Sequence, residues 1–199
     1  MISAIVLAAG LSSRMGALKQ LLPFGNHTIV EQVVSTLLSS PVDEIVVVLG
    51  HRHEEIANVL SKWDVRLTVN PRYAEGMLSS IKHGWTTVDP RADGVMHVLG
   101  DQPQLEADVV RELIEAHRAN HAGILVPMFG GRRGHPILLD AQYREEILAL
   151  GEDATMRQVL SAHAAAVQAI PVQTDSILRD MDTWVEYERE LRYRVNATV

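Results

Sequence analysis

No cysteine occurs in the 199 residues. Disulfide bonds and thiolate chemistry are therefore excluded, which is compatible with a cytoplasmic protein. The chain also lacks any run of about 18 apolar residues, so no membrane-spanning helix is expected. Its N-terminus has no basic segment, and Met1 leads straight into an apolar run, so no signal peptide is expected. Positive charge is in the minority, with 18 Lys and Arg against 25 Asp and Glu, a net −7. That balance disfavours non-specific binding to nucleic acid or to an anionic membrane. Internal repeats, low-complexity tracts and linkers are missing, and 47% apolar content is enough for one sizeable core. Residues 1–199 are therefore expected to form a single domain.

What is present concentrates first at Ile5 to Lys19. An apolar, β-branched run from Ile2 to Leu7 has the length and content of a buried strand. Ala8, Ala9 and Gly10 then let a backbone or ligand approach closely, and Gly10 and Gly16 can adopt conformations closed to other residues. Ser12 and Ser13 bring hydroxyls, while Arg14 and Lys19 bring positive charge. A strand running into a small, glycine-bearing, cationic loop suits phosphate, which backbone N–H groups can surround and cations neutralise. The loop is neither a Walker loop, since five residues separate Gly10 from Gly16 and Ala17 follows, nor a dinucleotide fingerprint, since position 12 is not glycine. An ordinary βα turn is the alternative.

Further along, Leu21 to Gly25 reads as a short extended piece and turn. Thr28 is placed to cap a helix with apolar positions Ile29, Val33, Val34, Leu37 and Leu38, ended by Pro41. Strands are expected over 44–50, 65–69, 94–100 and 124–126, alternating with helices over about 53–61, 76–85 and 107–118. That order predicts a helix-covered, mostly parallel sheet. Beyond it the pattern loosens into a short strand at 137–139, helices over 141–150 and 155–163, a strand over 167–172 and a C-terminal helix from near Thr183.

In a parallel sheet, ligands sit at the carboxyl ends of the strands, and several unusual clusters fall there. Asp101 directly follows the strand ending in Leu99 and Gly100. A carboxylate so placed suits Mg²⁺, and a helix N-cap is its ordinary alternative. Gly76 opens a helix that carries Ser79 and Ser80, a layout suited to a ligand lying across a helix N-terminus. Phe129 to Ile137 packs three glycines, Arg132, Arg133 and His135 together, a poor core segment and a good anion-binding or lid loop. Asp180 and Asp182 are two apart, so in an extended segment both face one side; capping of the last helix is the alternative for Asp182. His51 and His53 are not part of a His-Glu-x-x-His pattern and read as a solvated loop.

These clusters, in this order, resemble the molybdenum cofactor nucleotidyltransferases. Leu7 to Gly16 matches Leu-Ala-(Ala or Gly)-Gly-x-Ser-x-Arg-Met-Gly, with Lys19 in place. Gly100 to Pro103 matches Gly-Asp-Gln-Pro, Arg133 to Pro136 matches Arg-Gly-His-Pro, and Asp180 to Thr183 matches Asp-Ile-Asp-Thr. Trp184 stands where proline is usual, and Thr155 and Met156 replace the Gly-Ala expected between Asp153 and Arg157. The resemblance implies an α/β, Rossmann-like three-layer sandwich of the nucleotide-diphospho-sugar transferase type. It implies nucleotide contacts from Leu7, Ala8, Ala9, Gly10, Ser12, Gly76, Ser79 and Ser80, the stretch from Asn70 to Ile81 being similar to the family's segment for base and ribose contacts, and pterin-side contacts from Arg133, Gly134 and His135. Catalytic roles fall to Arg14, Lys19 and Asp101, with Mg²⁺ on Asp101 and Asp182, Asp180 staying open as the alternative second ligand. Ala9 points to the cytidylyl branch, whose reaction joins CTP to molybdopterin or molybdenum-molybdopterin and releases pyrophosphate, with a molybdenum hydroxylase as recipient of the cofactor. Three alternatives stay open: a guanylyl- or other nucleotidyltransferase with another phosphorylated substrate, a nucleotide-binding accessory protein, and an oxidoreductase on the same scaffold.

Overall fold

The computed structural model describes residues 1–12, 14–120 and 123–197. Its central element is β1 (Ile2–Ala8), buried along nearly its whole length. After it come the hairpin β2 (Pro23–Phe24) and β3 (His27–Thr28), helix α1 (Ile29–Leu38), β4 (Glu44–Leu49), α2 (His53–Leu60) and β5 (Arg66–Val69). Then follow α3 (Met77–Thr87), β6 (Gly94–Leu99), α4 (Ala107–Asn120) and β7 (Ile124–Phe129). The chain closes with β8 (Arg132–Arg133), β9 (Ile137–Asp140), α5 (Arg144–Ala149), α6 (Met156–Ala162), β10 (Val167–Pro171) and α7 (Trp184–Ala197). The sheet order is β10-β7-β9-β6-β1-β4-β5, with β8 folded back on β7. All neighbours along that order are parallel except β9, which runs antiparallel to both β6 and β7. The mostly parallel architecture expected from sequence is therefore present.

Helices cover both faces, and the alternation of β1 side chains says which. Ile2, Ala4, Val6 and Ala8 pack into a core with Val30, Val33, Val34 and Leu37 of α1 and Val110, Leu113 and Ile114 of α4. On the opposite face Ile5, with Leu7 against its edge, packs with Ile81 and Trp85 of α3 and Ile147 of α5. A third cluster, Met15, Phe24, Ile29, Met181 and Tyr187, ties the segment after β1 to the C-terminal region. Thr28 and Glu31 form a reciprocal capping box at the start of α1.

Several element ends shift from expectation, β7 for instance running to Phe129 and α3 to Thr87, and two stretches differ in kind. The helix expected over 141–150 divides into a 3-10 turn, Ala141–Tyr143, and α5. The piece at 21–25 belongs to a 3-10 turn and the β2–β3 hairpin. Among the described residues, no helix is long and apolar enough to cross a membrane.

Candidate functional site

The register of β1 with β4 and β6 aligns Leu7 with Val48 and Leu99, so the segments leaving these three strands emerge side by side. Gly100 makes the close approach possible, since a Cβ there would stand 2.7 Å from the Leu7 carbonyl oxygen. A cleft of about 550 Å³ opens at this edge. From the first loop it takes Leu7, Ala9, Gly10, Ser12, Arg14 and Lys19, and from the α3 side Gly76 and Ser80. Asp101, His135, Asp180 and Asp182 complete its polar wall. Most of the residues expected to contact ligand thus share one space, although they come from distant parts of the chain.

The loop after β1 achieves its shape differently from expectation. Gly10 does not take the left-handed conformation; Ser12 does, at φ 51°, along with Gly16 at φ 64°. For a residue with a Cβ that conformation costs roughly 1–2 kcal/mol, and local bonds offset it. The Ser12 hydroxyl donates to Gln20 Oε1 at 3.2 Å and accepts from the Lys19 backbone N–H at 3.3 Å. Its carbonyl accepts from Met15 N–H at 3.1 Å. Gln20, 2% exposed, also lines the cleft and was not singled out from sequence. Its only signal there is position, next to Lys19. The Ser13 hydroxyl lies outside the described residues.

The electrostatic centre is a four-group cluster. Lys19 Nζ contacts Asp101 Oδ2 and, at 2.8 Å, Asp182 Oδ1. Arg14 Nη1 reaches Asp182 Oδ2 at 2.9 Å. Burial disfavours charge on Lys19, but the carboxylates of Asp101 and Asp182 outweigh it and raise its pKa above the ordinary lysine value. The Lys19 bond correspondingly holds Asp182 below the usual carboxylate value, against its partial burial, with Arg14 adding to the effect. Capping does not occupy Asp182. Thr183 and Glu186 form that cap, with Glu186 Oε2 accepting from the Asp182 and Thr183 backbone N–H groups at 2.9 and 2.8 Å. The Asp182 side chain is therefore given over to the cleft. Trp184, the departure from the family pattern, donates from Nε1 to the Met15 carbonyl at 3.0 Å and clamps the loop to α7.

Mg²⁺ commonly takes one or two protein carboxylates and fills its remaining positions with water and substrate phosphates. Asp101 and Asp182 already share one cationic group, Lys19 Nζ, so they are close enough to serve one ion. Among the described residues no set of three or more His, Asp or Glu side chains forms a closed cage. The donor set therefore fits a metal brought in with phosphate.

The α3 wall offers a different chemistry. Gly76, at φ 108°, is the N-cap of α3 and supplies no side-chain cap, so the first amides of the helix are left without one at the cleft. Ser80 lines the cleft, whereas Ser79 lines a separate hollow beside Arg72 and Lys82.

Besides Ser79, three expected contacts lie elsewhere. The Ala8 methyl points into the α1-side core at 0% exposure, because strand alternation sends Leu7 and Ala8 to opposite faces. Arg133 is exposed on the β7–β8 hairpin, outside the cleft lining. Gly134 is a packing residue: a Cβ there would meet the Ile177 carbonyl oxygen at 2.2 Å. That contact, with His135 N–H donating to Ile177 O at 3.1 Å, presents the His135 ring to the cleft. Burial pushes the His135 imidazole below the ordinary histidine value, while Asp180 and Asp101 pull the other way. Asp153 and Arg157 are exposed outside the cleft, and it is Glu152 that pairs, with Arg72 at 2.8 Å.

With this geometry in view, the likeness to known proteins is specific. Residues 4–167 match the MobA-like NTP transferase domain. A molybdenum cofactor cytidylyltransferase of Escherichia coli K12 is 31% identical over 186 residues, covering 92% of this chain and 91% of the relative. The nicotine blue oxidoreductase of Paenarthrobacter nicotinovorans is 30% identical over 190 residues, covering 92% of each. A Mycobacterium tuberculosis protein solved in complex with manganese superposes with a TM-score of 0.82 at 26% identity, over 96% of this chain and 98% of that one. Sheet order, cleft and likeness together define a nucleotidyltransferase fold of the nucleotide-diphospho-sugar transferase type. Within that class, the chain belongs to the MobA-like NTP transferase domain family.

Proposed function

We propose that this protein joins CTP to molybdopterin or molybdenum-molybdopterin, forming molybdopterin cytosine dinucleotide and pyrophosphate. The observation that carries this reading is the cluster of Arg14, Lys19, Asp101 and Asp182 at the carboxyl edge of β1 and β6, beside the uncapped start of α3. Cations and a helix N-terminus attract a triphosphate, and paired carboxylates hold its metal. The same unit is taken to run past residue 167 to α7, since Tyr187 donates to the Pro23 carbonyl at 2.6 Å.

The pterin phosphate oxygen attacks the α-phosphorus of CTP in line, forming a new P–O bond as the bond to pyrophosphate breaks. A phosphate monoester is already a competent nucleophile, so positioning and neutralisation of growing charge supply the catalysis. Arg14, 70% exposed at the cleft mouth, suits the β- and γ-phosphates. Lys19, held deeper beside Asp101, suits the α-phosphate, where charge changes during reaction. Asp101 and Asp182 would hold Mg²⁺, which when bound would supply Lewis-acid polarisation of the phosphate oxygens. His135 stays neutral near pH 7 and offers a hydrogen bond on the acceptor side without adding charge.

The oxidoreductase relative, with similar identity and coverage, favours one rival. Hydride transfer gives no task to a shared pair of carboxylates bridged by lysine, so the cluster supports nucleotidyl transfer. Pyrophosphate release on mixing protein, CTP, Mg²⁺ and molybdopterin is the expected outcome. No release with any nucleoside triphosphate, together with reduction of a dye by a nicotinamide cofactor, would transfer the assignment to the rival.

A further inference from the structure

Asn70 and the two serines of α3 form a small network whose proton directions can be deduced. Asn70 follows β5 and is 2% exposed, and its backbone N–H donates to the Leu49 carbonyl at 2.8 Å. Its Oδ1 accepts from the Arg72 backbone N–H at 2.9 Å. A backbone amide can only donate, so this contact settles which end of the Asn70 amide is oxygen. The nitrogen end then faces the serines, donating to Ser79 Oγ at 2.9 Å and Ser80 Oγ at 3.0 Å.

Both hydroxyl oxygens act as acceptors, yet their protons go to different places. Ser79 has the carbonyls of Arg72 and Gly76 within 2.8 and 2.9 Å, so its proton is used inside the protein. The Ser80 hydroxyl makes no other hydrogen bond among the described residues, and the residue is 4% exposed and lines the cleft. Its neighbours on that wall, Tyr73, Ala74, Gly76 and Met77, include no cation, so this end suits an uncharged part of a ligand.

We propose that Asn70 is a positioning residue: by donating to Ser80 Oγ it turns the Ser80 proton into the cleft, where it serves as a donor to an unprotonated acceptor, a carbonyl oxygen or ring nitrogen, on the base of the bound nucleotide. This rests on the nucleotide reading of the same cleft. It separates two serines that look equivalent in sequence and makes Ser79 structural. Cytosine, with adjacent carbonyl and ring-nitrogen acceptors, suits such a donor.

The test is calorimetric titration of CTP with Mg²⁺ at pH 8. Asn70→Asp keeps the shape and the acceptor for Arg72 but can no longer donate, so Ser80 turns its proton toward residue 70. Ser80→Ala and Asn70→Asp should each weaken CTP binding about 5- to 10-fold, the scale of one neutral hydrogen bond. Asn70→Asp should add nothing in the Ser80→Ala background, and Ser80→Thr should retain most of the affinity. Multiplying losses would mean that Asn70 acts through charge or fold, and a larger loss for Ser79→Ala than for Ser80→Ala would invert the assignment; either overturns the proposal. A second readout is independent of CTP: the Asn70 side-chain amide protons should be protected from solvent exchange in NMR spectra, and Ser80→Ala should free one. Protection without CTP binding would defeat the nucleotide reading and keep the network, whereas fast exchange of both protons in the wild type would defeat the network itself.

Discussion

Two carboxylates in this molecule, Glu31 and Asp182, each collect several donors and serve opposite purposes. Glu31 accepts from the Thr28 backbone and hydroxyl at 2.8 and 2.9 Å and from Trp63 Nε1 at 3.2 Å, and it pairs with Lys62 at 2.9 Å. Two of those four donors are held by backbone or ring geometry, a third is the short Thr28 hydroxyl of the same capping box, and the residue is 6% exposed. Asp182 is met by two flexible cations, Arg14 and Lys19, at the edge of an open cleft. Donors that cannot leave make a carboxylate a structural element. Cations that can be drawn toward an arriving anion make one part of a site.

The sharpest way to break this comparison is Asp101→Asn, which removes one charge from the cleft cluster. Pyrophosphate release should fall roughly a hundredfold or more, since several kcal/mol of transition-state stabilisation is lost, while the melting temperature stays near wild type. Near-normal turnover would remove Asp101 from catalysis. Next in size, Lys19→Ala should lower kcat by about 10- to 100-fold with a smaller change in KM for CTP, and Arg14→Ala should mainly raise KM. Equal changes in both parameters for both variants would erase the assigned division of labour.

Glu31 supplies the opposite expectation. Burial pushes its pKa up, but the bonds from Thr28, Lys62 and Trp63 prevail and hold it at about 2, below the ordinary 4.5. A folded-state pKa below the unfolded value means that the stabilisation is fully present above pH 4.5 and is lost as pH falls from there through about 2. The amount is at most about 3 kcal/mol. Denaturant unfolding of Glu31→Gln should show that loss at pH 7 and little further dependence on this group between pH 5 and 2, with kcat unchanged. A variant of wild-type stability and lowered kcat would place Glu31 on the wrong side of the comparison.

The smallest expected effect concerns nucleotide choice. Ala9 lines the cleft but is only 6% exposed, and its methyl lies where a Cβ on Gly50 would approach within 2.8 Å. Little of that methyl is left to obstruct a purine, so Ala9→Gly should narrow a CTP-over-GTP preference by less than about tenfold. Wild-type preference for GTP in kcat/KM would refute the cytidylyl reading, whereas an unchanged ratio in the variant would refute the steric part alone. The carbonyls of Leu7 and Ala9 already accept from Gly100 and His51 N–H groups.

The chain by itself determined what rests on local pattern. Buried parallel strands are continuous apolar runs, so β1, β4 and β6 could be read directly, and the cationic loop after β1 could be recognised from residues within a few positions of one another. Arg14, Lys19, Asp101, His135 and Asp182 were marked in this way, and all of them line the cleft. Local pattern could not tell Leu7 from Ala8, Ser79 from Ser80 or Arg133 from His135 as cleft residues, nor show that Thr183 and Glu186 release Asp182 from capping. Neighbours in sequence share composition and diverge in direction, and direction depends on which face of a strand or helix the rest of the fold covers. The insertion of β9 between β6 and β7 was equally invisible, since a short apolar run carries no sign of its partners or orientation. The tertiary structure decided these matters because the deciding contacts are remote. Lys19 and Asp182 are 163 positions apart, and only the register of the sheet and the packing of α7 against the first loop bring their opposite charges into contact.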